Sequence, residues 1–112
     1  MRSIRGAALA VLVLPSAISL AQQDPVEHGR QVFATWCAPC HAPGPKHPGT
    51  QALEALYKGA KPAPLEQRTD LTPALTSTFV RAGVSVMPPF RKTEISDADL
   101  AALAAYLAPR AR

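Results

Sequence analysis

Aromatic residues are scarce in this sequence: three Phe, two Tyr and one Trp in 112 positions. A chain of this length makes one small domain with a marginal core, and so few rings do not fill it. Something other than the chain's own side chains must supply part of the interior. Cysteine is scarcer still. Cys37 and Cys40 are the only two, so a single motif uses both. Period-two alternation is missing throughout, which argues against a sheet. Internal repeats and low-complexity segments are also missing. Charge of one sign is weak. The formal net charge is +4, and it falls to +2 once Arg2 and Arg5 are removed. That is too mild for a nucleic-acid partner. It permits docking on an acidic protein face and no more.

Long apolar runs are absent beyond the N-terminus. There, Arg2 and Arg5 precede an apolar stretch from Ala7 to Leu14, and Ser19-Leu20-Ala21 forms a small-x-small cleavage site. This is the pattern of a secretory signal peptide. The uncharged segment from Gly6 to Gln23 is 18 residues long and is interrupted by Pro15. A spanning helix needs about 20 predominantly apolar residues, so cleavage is expected rather than retention as an anchor. The expected organisation is a signal peptide at 1–21 and one domain at 22–112. No stable membrane insertion is expected after cleavage.

The chemistry sits in Cys37-Ala38-Pro39-Cys40-His41. Cys-x-x-Cys-His is the attachment pattern for c-type haem. Two thiols add to the haem vinyl groups, and the following His ligates the iron. Two intervening residues make one helical turn, which turns both sulfurs and the imidazole to one porphyrin edge. One motif implies one haem and one electron at a time. The same residues, with Trp36 in front, also look like a thioredoxin-type dithiol. The flanks disagree. A helical pattern precedes the motif where a buried strand is needed, and Pro43, Gly44, Pro45, Pro48 and Gly49 break any helix after it. A structural zinc site is a third reading, but two Cys and one His lack a fourth ligand.

Helix signals recur along the domain. Asp24 caps a first helix from Pro25 to about Cys40, with Val26, Gly29, Phe33 and Trp36 on one face. Gly29 costs that helix about 1 kcal/mol relative to Ala, which suggests that another helix crosses closely there. Residues 42 to 49 read as a loop. A short helix follows from Thr50 to Lys58, with Leu53, Leu56 and Tyr57 inward and Gly59 as its stop. Residues 60 to 70 read as a second loop. Thr72 caps a further helix beginning at Pro73, with Leu75, Phe79 and Ala82 inward and Gly83 at its end. Residues 84 to 93 form an extended loop containing Met87-Pro88-Pro89-Phe90. Ser96 caps the last helix, Ile95 and Leu100 form a hydrophobic staple, and Leu100, Leu103, Ala104 and Leu107 are its buried stripe. The expected class is all-α.

Taken together these residues resemble a class I, single-haem cytochrome c. The likeness spans nearly the whole domain: a first helix with Gly29 and Phe33, the motif Cys37 to His41, the pair Met87-Pro88, and a last helix with Tyr106. The resemblance implies three to five helices wrapped around one covalent haem c, with the terminal helices crossing at Gly29. It implies that haem is attached outside the cytoplasm, hence a periplasmic location. It implies Cys37 and Cys40 as haem attachment points, His41 as proximal ligand and Met87 as distal ligand. A thioether is a soft, neutral donor that raises the reduction potential. Met87 is the only Met left once Met1 departs with the signal. The other readings of Met87 are a core filler, or replacement as ligand by His28 or His47. His28 reads as a solvated surface residue, and His47 lies on the His41 side of the haem.

The resemblance also implies a loop carbonyl that accepts the proximal imidazole N–H. Pro48 is the candidate, with Pro43 and Pro45 in competition. Trp36 and Tyr57 are candidates to pack on the porphyrin. Arg68 and Arg81 are candidates to neutralise propionates or else solvated surface residues. Arg91 and Lys92 are candidates for a docking rim.

The run from Tyr57 to Ser96 is similar, more narrowly, to the cytochrome subunits of flavin-dependent alkylphenol oxidoreductases of the p-cresol methylhydroxylase and eugenol hydroxylase type. That likeness implies a redox partner, a flavoprotein of the vanillyl-alcohol oxidase type. The function expected is electron transfer rather than catalysis. The alternative is a haem enzyme or gas sensor with a labile Met87, or a thiol oxidoreductase using Cys37 and Cys40.

Overall fold

The computed structural model describes residues 23–109; the expected signal peptide and its cleavage point at Ala21 lie outside that range. Five helices follow one another: α1 (Pro25–Trp36), α2 (Ala38–His41), α3 (Pro48–Tyr57), α4 (Pro73–Ala82) and α5 (Asp97–Leu107). A 3-10 turn at Leu65–Gln67 lies between α3 and α4. No strand occurs among the described residues, and an isolated bridge joins Val84 to Met87. The all-α class expected from the sequence is the one observed.

Proline sets most of the helix starts. Each of α1 to α4 carries a Pro in its first two positions, where a backbone N–H has no intrahelical acceptor to lose. Side chains satisfy other free donors. Asp24 accepts from the Val26 amide at 3.0 Å and Thr72 from the Leu75 amide at 3.2 Å. The α5 start is a reciprocal box: the Asp99 amide donates to Ser96 Oγ, and the Ser96 amide to Asp99. Lys58 and Gly59 end α3 with positive φ, and Gly83 does the same after α4.

Two helix boundaries differ from the sequence expectation. The first helix does not continue through Cys40. It stops at Trp36, Cys37 bends the chain (φ −111°), and the motif forms its own short turn. The third helix begins two residues early because Pro48 occupies its first position, with His47 at the cap position accepting from the Gln51 amide through its carbonyl.

α1 and α4 both pack on α5, and α2 joins α1 to α3. The core is Val32, Phe33, Cys37, Leu71, Val80, Ile95, Leu100, Leu103 and Leu107. The stripe expected on α5 is buried as read, and both staple residues, Ile95 and Leu100, lie in the core. On α3 Leu53 and Tyr57 are half-buried as expected but Leu56 is not, and the α4 face is rotated from expectation. Leu56 is 69% exposed rather than inward. On α4, Thr76 and Val80 are buried, while Leu75 is half-buried and Phe79 and Ala82 are exposed. Trp36 on α1 is also exposed, and Val32 takes its expected place in the core.

The terminal helices cross at Gly29. A Cβ there would lie 2.1 Å from the Ala102 carbonyl oxygen and 2.8 Å from Tyr106 Cβ. Phe33 and Tyr106 stack at a tilt beside the crossing, with centroids 5.8 Å apart. A second tie was not visible in the sequence. His28, expected to be a solvated surface residue, donates from Nε2 to Asp99 Oδ1 at 2.6 Å. Asp99 therefore serves both the α5 cap and the α1–α5 contact. Its carboxyl is held below the usual aspartate range, first by the Ser96 hydroxyl and then by His28.

A carboxylate with a lowered folded-state pKa stabilises the fold above its ordinary pKa. That contribution disappears as pH falls through the lowered value. Asp99→Asn should therefore cost stability at pH 7, by about 0.5–1 kcal/mol for a cap that is partly screened by solvent. The difference from wild type should shrink below about pH 4. Thermal melts of both proteins from pH 3 to pH 7 check this. A gap independent of pH would assign the loss to packing instead.

Candidate functional site

α2 holds the Cys-x-x-Cys-His motif against the rest of the fold. Its turn is closed by the Cys40 and His41 amides, which both donate to the Cys37 carbonyl, at 3.1 Å and 2.8 Å. The bend at Cys37 separates the two thiols in environment. Cys37 is buried in the core, whereas Cys40 is exposed. Burial pushes the Cys37 thiol up to about 12, with Cys40 adding to the shift. A reactive dithiol needs a thiol pKa lowered toward neutrality, and helix α1 precedes this motif where such a motif follows a strand. The dithiol reading therefore has neither the electrostatics nor the scaffold. The zinc reading fails on ligand count, because no group of three or more His, Cys, Asp or Glu converges among the described residues.

The His41 ring is half-buried, and its Nδ1 is shut off from solvent with no hydrogen-bond partner among the described residues. Desolvation holds the imidazole below the ordinary histidine range, which favours its neutral form. Neutral imidazole is the form that ligates a metal. The hydrogen bond expected from His41 to the Pro48 carbonyl is not formed here. Pro48 is drawn into the first turn of α3, and its neighbour Gly49 meets the ring instead. A Cβ on Gly49 would lie 2.7 Å from His41 Cε1 and 2.9 Å from Nδ1. His47 donates from Nδ1 to the Pro39 carbonyl at 3.0 Å, which pins the α3 start to the motif. Thr50 adds a second pin through its hydroxyl, which donates to the Ala42 carbonyl at 2.9 Å.

Met87 is half-buried and packs against the core cluster that contains Cys37. Its backbone is fixed. The Val84 and Met87 amides and carbonyls pair reciprocally, at 3.1 Å and 2.9 Å, around a turn with Ser85 at φ 53°. Gly83 lies underneath, where a Cβ would stand 2.7 Å from the Met87 carbonyl oxygen. Arg81 fastens the far side of the loop by donating to the Phe90 carbonyl at 3.1 Å and to Asp97 at 3.0 Å. Trp36 packs edge-on against Phe90 with centroids 6.0 Å apart, which links α1 to the same loop. Arg81 therefore positions the loop rather than lying free on the surface. Only the folded chain brings Arg81 and Phe90 together, so no local pattern could have announced it.

Arg68 is likewise neither a solvated residue nor an uncommitted cation. Its side chain is 7% exposed. It donates to both oxygens of Asp70 at 2.7 Å and to Tyr57 Oη at 2.8 Å. Its guanidinium holds the Asp70 carboxyl well below the usual carboxylate range. This cluster ties α3 to the loop before α4. Arg91 and Lys92 are exposed but paired, Arg91 with Glu94 and Lys92 with Asp97.

These features fit a covalent haem. They place two thiols on one turn, a half-buried imidazole whose neutral form is favoured, and a thioether on a pinned loop. Bound there, haem would supply reversible one-electron chemistry at its iron. The chain's own part is to hold the ligands, exclude water and keep the loop from moving. No helix among the described residues is long and apolar enough to cross a membrane. No curated protein is similar enough to count as a match. The family model described as cytochrome C oxidase, cbb3-type, subunit III matches residues 24–107. That match spans α1 to α5, and the chain therefore belongs to this cytochrome c family, whose members are haem-binding electron carriers with covalently attached haem c.

Proposed function

We propose that the protein is a periplasmic single-electron carrier that binds no organic substrate. In this reading Cys37 and Cys40 hold one haem, and His41 and Met87 are its axial ligands. The observation that supports it most is the His41 ring. It is partly buried and has no hydrogen-bond partner at Nδ1 among the described residues, next to a Cys37 against whose core cluster Met87 packs. With both axial positions taken, oxygen and peroxide find no open site, which speaks for electron transfer over catalysis.

The ligand assignment has a direct test. Met87→Ala should leave the haem attached but lower the reduction potential, by on the order of 0.1 V within the ~0.8 V range that axial ligation spans. The variant should also bind cyanide or imidazole. Potentiometry and optical titration of the purified protein check both. An unchanged potential without new ligand binding would move the sixth ligand elsewhere.

The electron donor in this reading is a flavoprotein of the vanillyl-alcohol oxidase type, with the chain as the cytochrome subunit of an alkylphenol-oxidising flavocytochrome. The likeness of the run from Tyr57 to Ser96 supports it. Because Arg91 and Lys92 are paired within the chain, their contribution to docking is on the encounter rate and its salt dependence. Stopped-flow reduction by a substrate-reduced flavoprotein tests the pairing. Fast reduction, slowed when both cations are changed to Glu, supports the flavoprotein partner. Co-purification with a membrane oxidase and no reduction by the flavoprotein would reassign the chain to the oxidase.

A further inference from the structure

We infer that Gly49 is a positioning residue for the proximal ligand: its bare α-carbon packs against the edge of the His41 ring and sets the angle at which the imidazole stands. The inference rests on the reading of His41 as an iron ligand. Its basis is steric. A Cβ on Gly49 would lie 2.7 Å from His41 Cε1, 2.9 Å from His41 Nδ1 and 2.7 Å from the Cys40 carbonyl oxygen. Separations under about 3 Å are closer than carbon and its neighbours tolerate. Any side chain at position 49 must therefore turn the ring or push α3 away from α2. The second choice is resisted. Thr50 bonds the Ala42 carbonyl, His47 bonds the Pro39 carbonyl, and Thr50 is fully buried. The Cys40 carbonyl contact forces a small backbone shift, those bonds limit it, and the ring must turn as well.

No conformational demand accounts for this glycine. Positive φ occurs at Gly44, Gly59 and Gly83 and not at Gly49, so its backbone suits any residue. The close approach is the reason for its small size. The orientation of a proximal imidazole about the iron bond shapes the ferric electronic structure. Nearby groups that fix a ligating histidine in this way tune the metal.

The test is Gly49→Ala in the full-length holoprotein, with Thr50→Val as a comparison. Thr50→Val loosens the same α2–α3 junction without touching the ring. Both variants should melt lower than wild type. Only Gly49→Ala should change the ferric EPR g-values and the spread of hyperfine-shifted haem methyl resonances, with the absorption spectrum still reporting His ligation. Equal g-values and methyl shifts in Gly49→Ala and wild type would overturn the proposal. So would the same spectroscopic change in Thr50→Val. A measurement on the wild-type protein decides the matter even where the variant does not accumulate. In the diamagnetic ferrous state, the Gly49 α-protons should show a nuclear Overhauser effect to His41 Hε1, and its absence would overturn the contact. If wild type showed no haem-linked His41 at all, the function reading itself would fail. That outcome is distinct from a normal His41 signal lacking the Gly49 contact.

Discussion

Gly29→Ala should destabilise the protein, although alanine is the better helix former. The gain in helix propensity is nearly 1 kcal/mol. Against it stands a Cβ placed 2.1 Å from the Ala102 carbonyl oxygen and 2.6 Å from its carbon. Those are backbone atoms of α5 and cannot rotate aside as a flexible side chain could. The two helices must separate, and overpacking of this kind typically costs about 1–3 kcal/mol. Separation would also loosen the Phe33–Tyr106 pair, worth about 0.5–1.5 kcal/mol beyond its burial. A net loss of about 2 kcal/mol lowers Tm by roughly 8–16 °C in a domain of this size. Gly29→Leu should lose more. Melts of the haem-loaded variants, followed at both the haem band and the helix signal, check this. A Gly29→Ala protein as stable as wild type would mean that the crossing is looser in solution.

A larger loss is expected from replacing Cys37 and Cys40 together with Ser. Without covalent haem the chain should fail to hold its fold, and the product should not accumulate in the periplasm. The core has nine buried members, of which Phe33 is the single aromatic and Cys37 is itself one. Trp36, Leu56, Phe79, Val84 and Val86 are left at 37–90% exposure by the chain's own packing. Large apolar side chains left uncovered contribute little of the roughly 1.5–3 kcal/mol that each would give when buried. The conformational entropy of ordering some 87 described residues is undiminished. Circular dichroism of the purified double variant should show little helix and no cooperative melt. A cooperatively folded helical double variant would show that the side-chain core suffices.

Much of the architecture was legible because it depends on neighbours along the chain. Asp24, Thr72 and Ser96 act as caps on amides two or three residues away, and a Pro at the first helical position is permitted by a rule that needs no partner. The five-residue motif was legible for the same reason, since its two thiols and imidazole fall on one turn. The crossing at Gly29 was legible because a glycine inside a capped helix weakens it unless a close approach offsets the cost. Less could be read of Pro48. Counting along the loop brought the chain to the right place, but the choice between Pro48 and Gly49 depends on where α3 begins.

What the sequence by itself determined was the helical class, the starts of α1, α4 and α5, the single haem-type motif and the contact point of the terminal helices. All of these follow from local backbone chemistry or from residue spacing within one turn. Only the tertiary structure decided which side of α3 and α4 is covered. On α4, apolar residues lie on two overlapping stripes, and the one containing Val80 faces inward because α5 lies on that side. Only the tertiary structure paired His28 with Asp99, Arg68 with Tyr57, and Arg81 with the Phe90 carbonyl. In each case a polar side chain that looks solvated along the chain finds its partner on another element or across a loop. Distance in sequence hides such pairs, and burial then makes an unpaired charge too costly to leave alone.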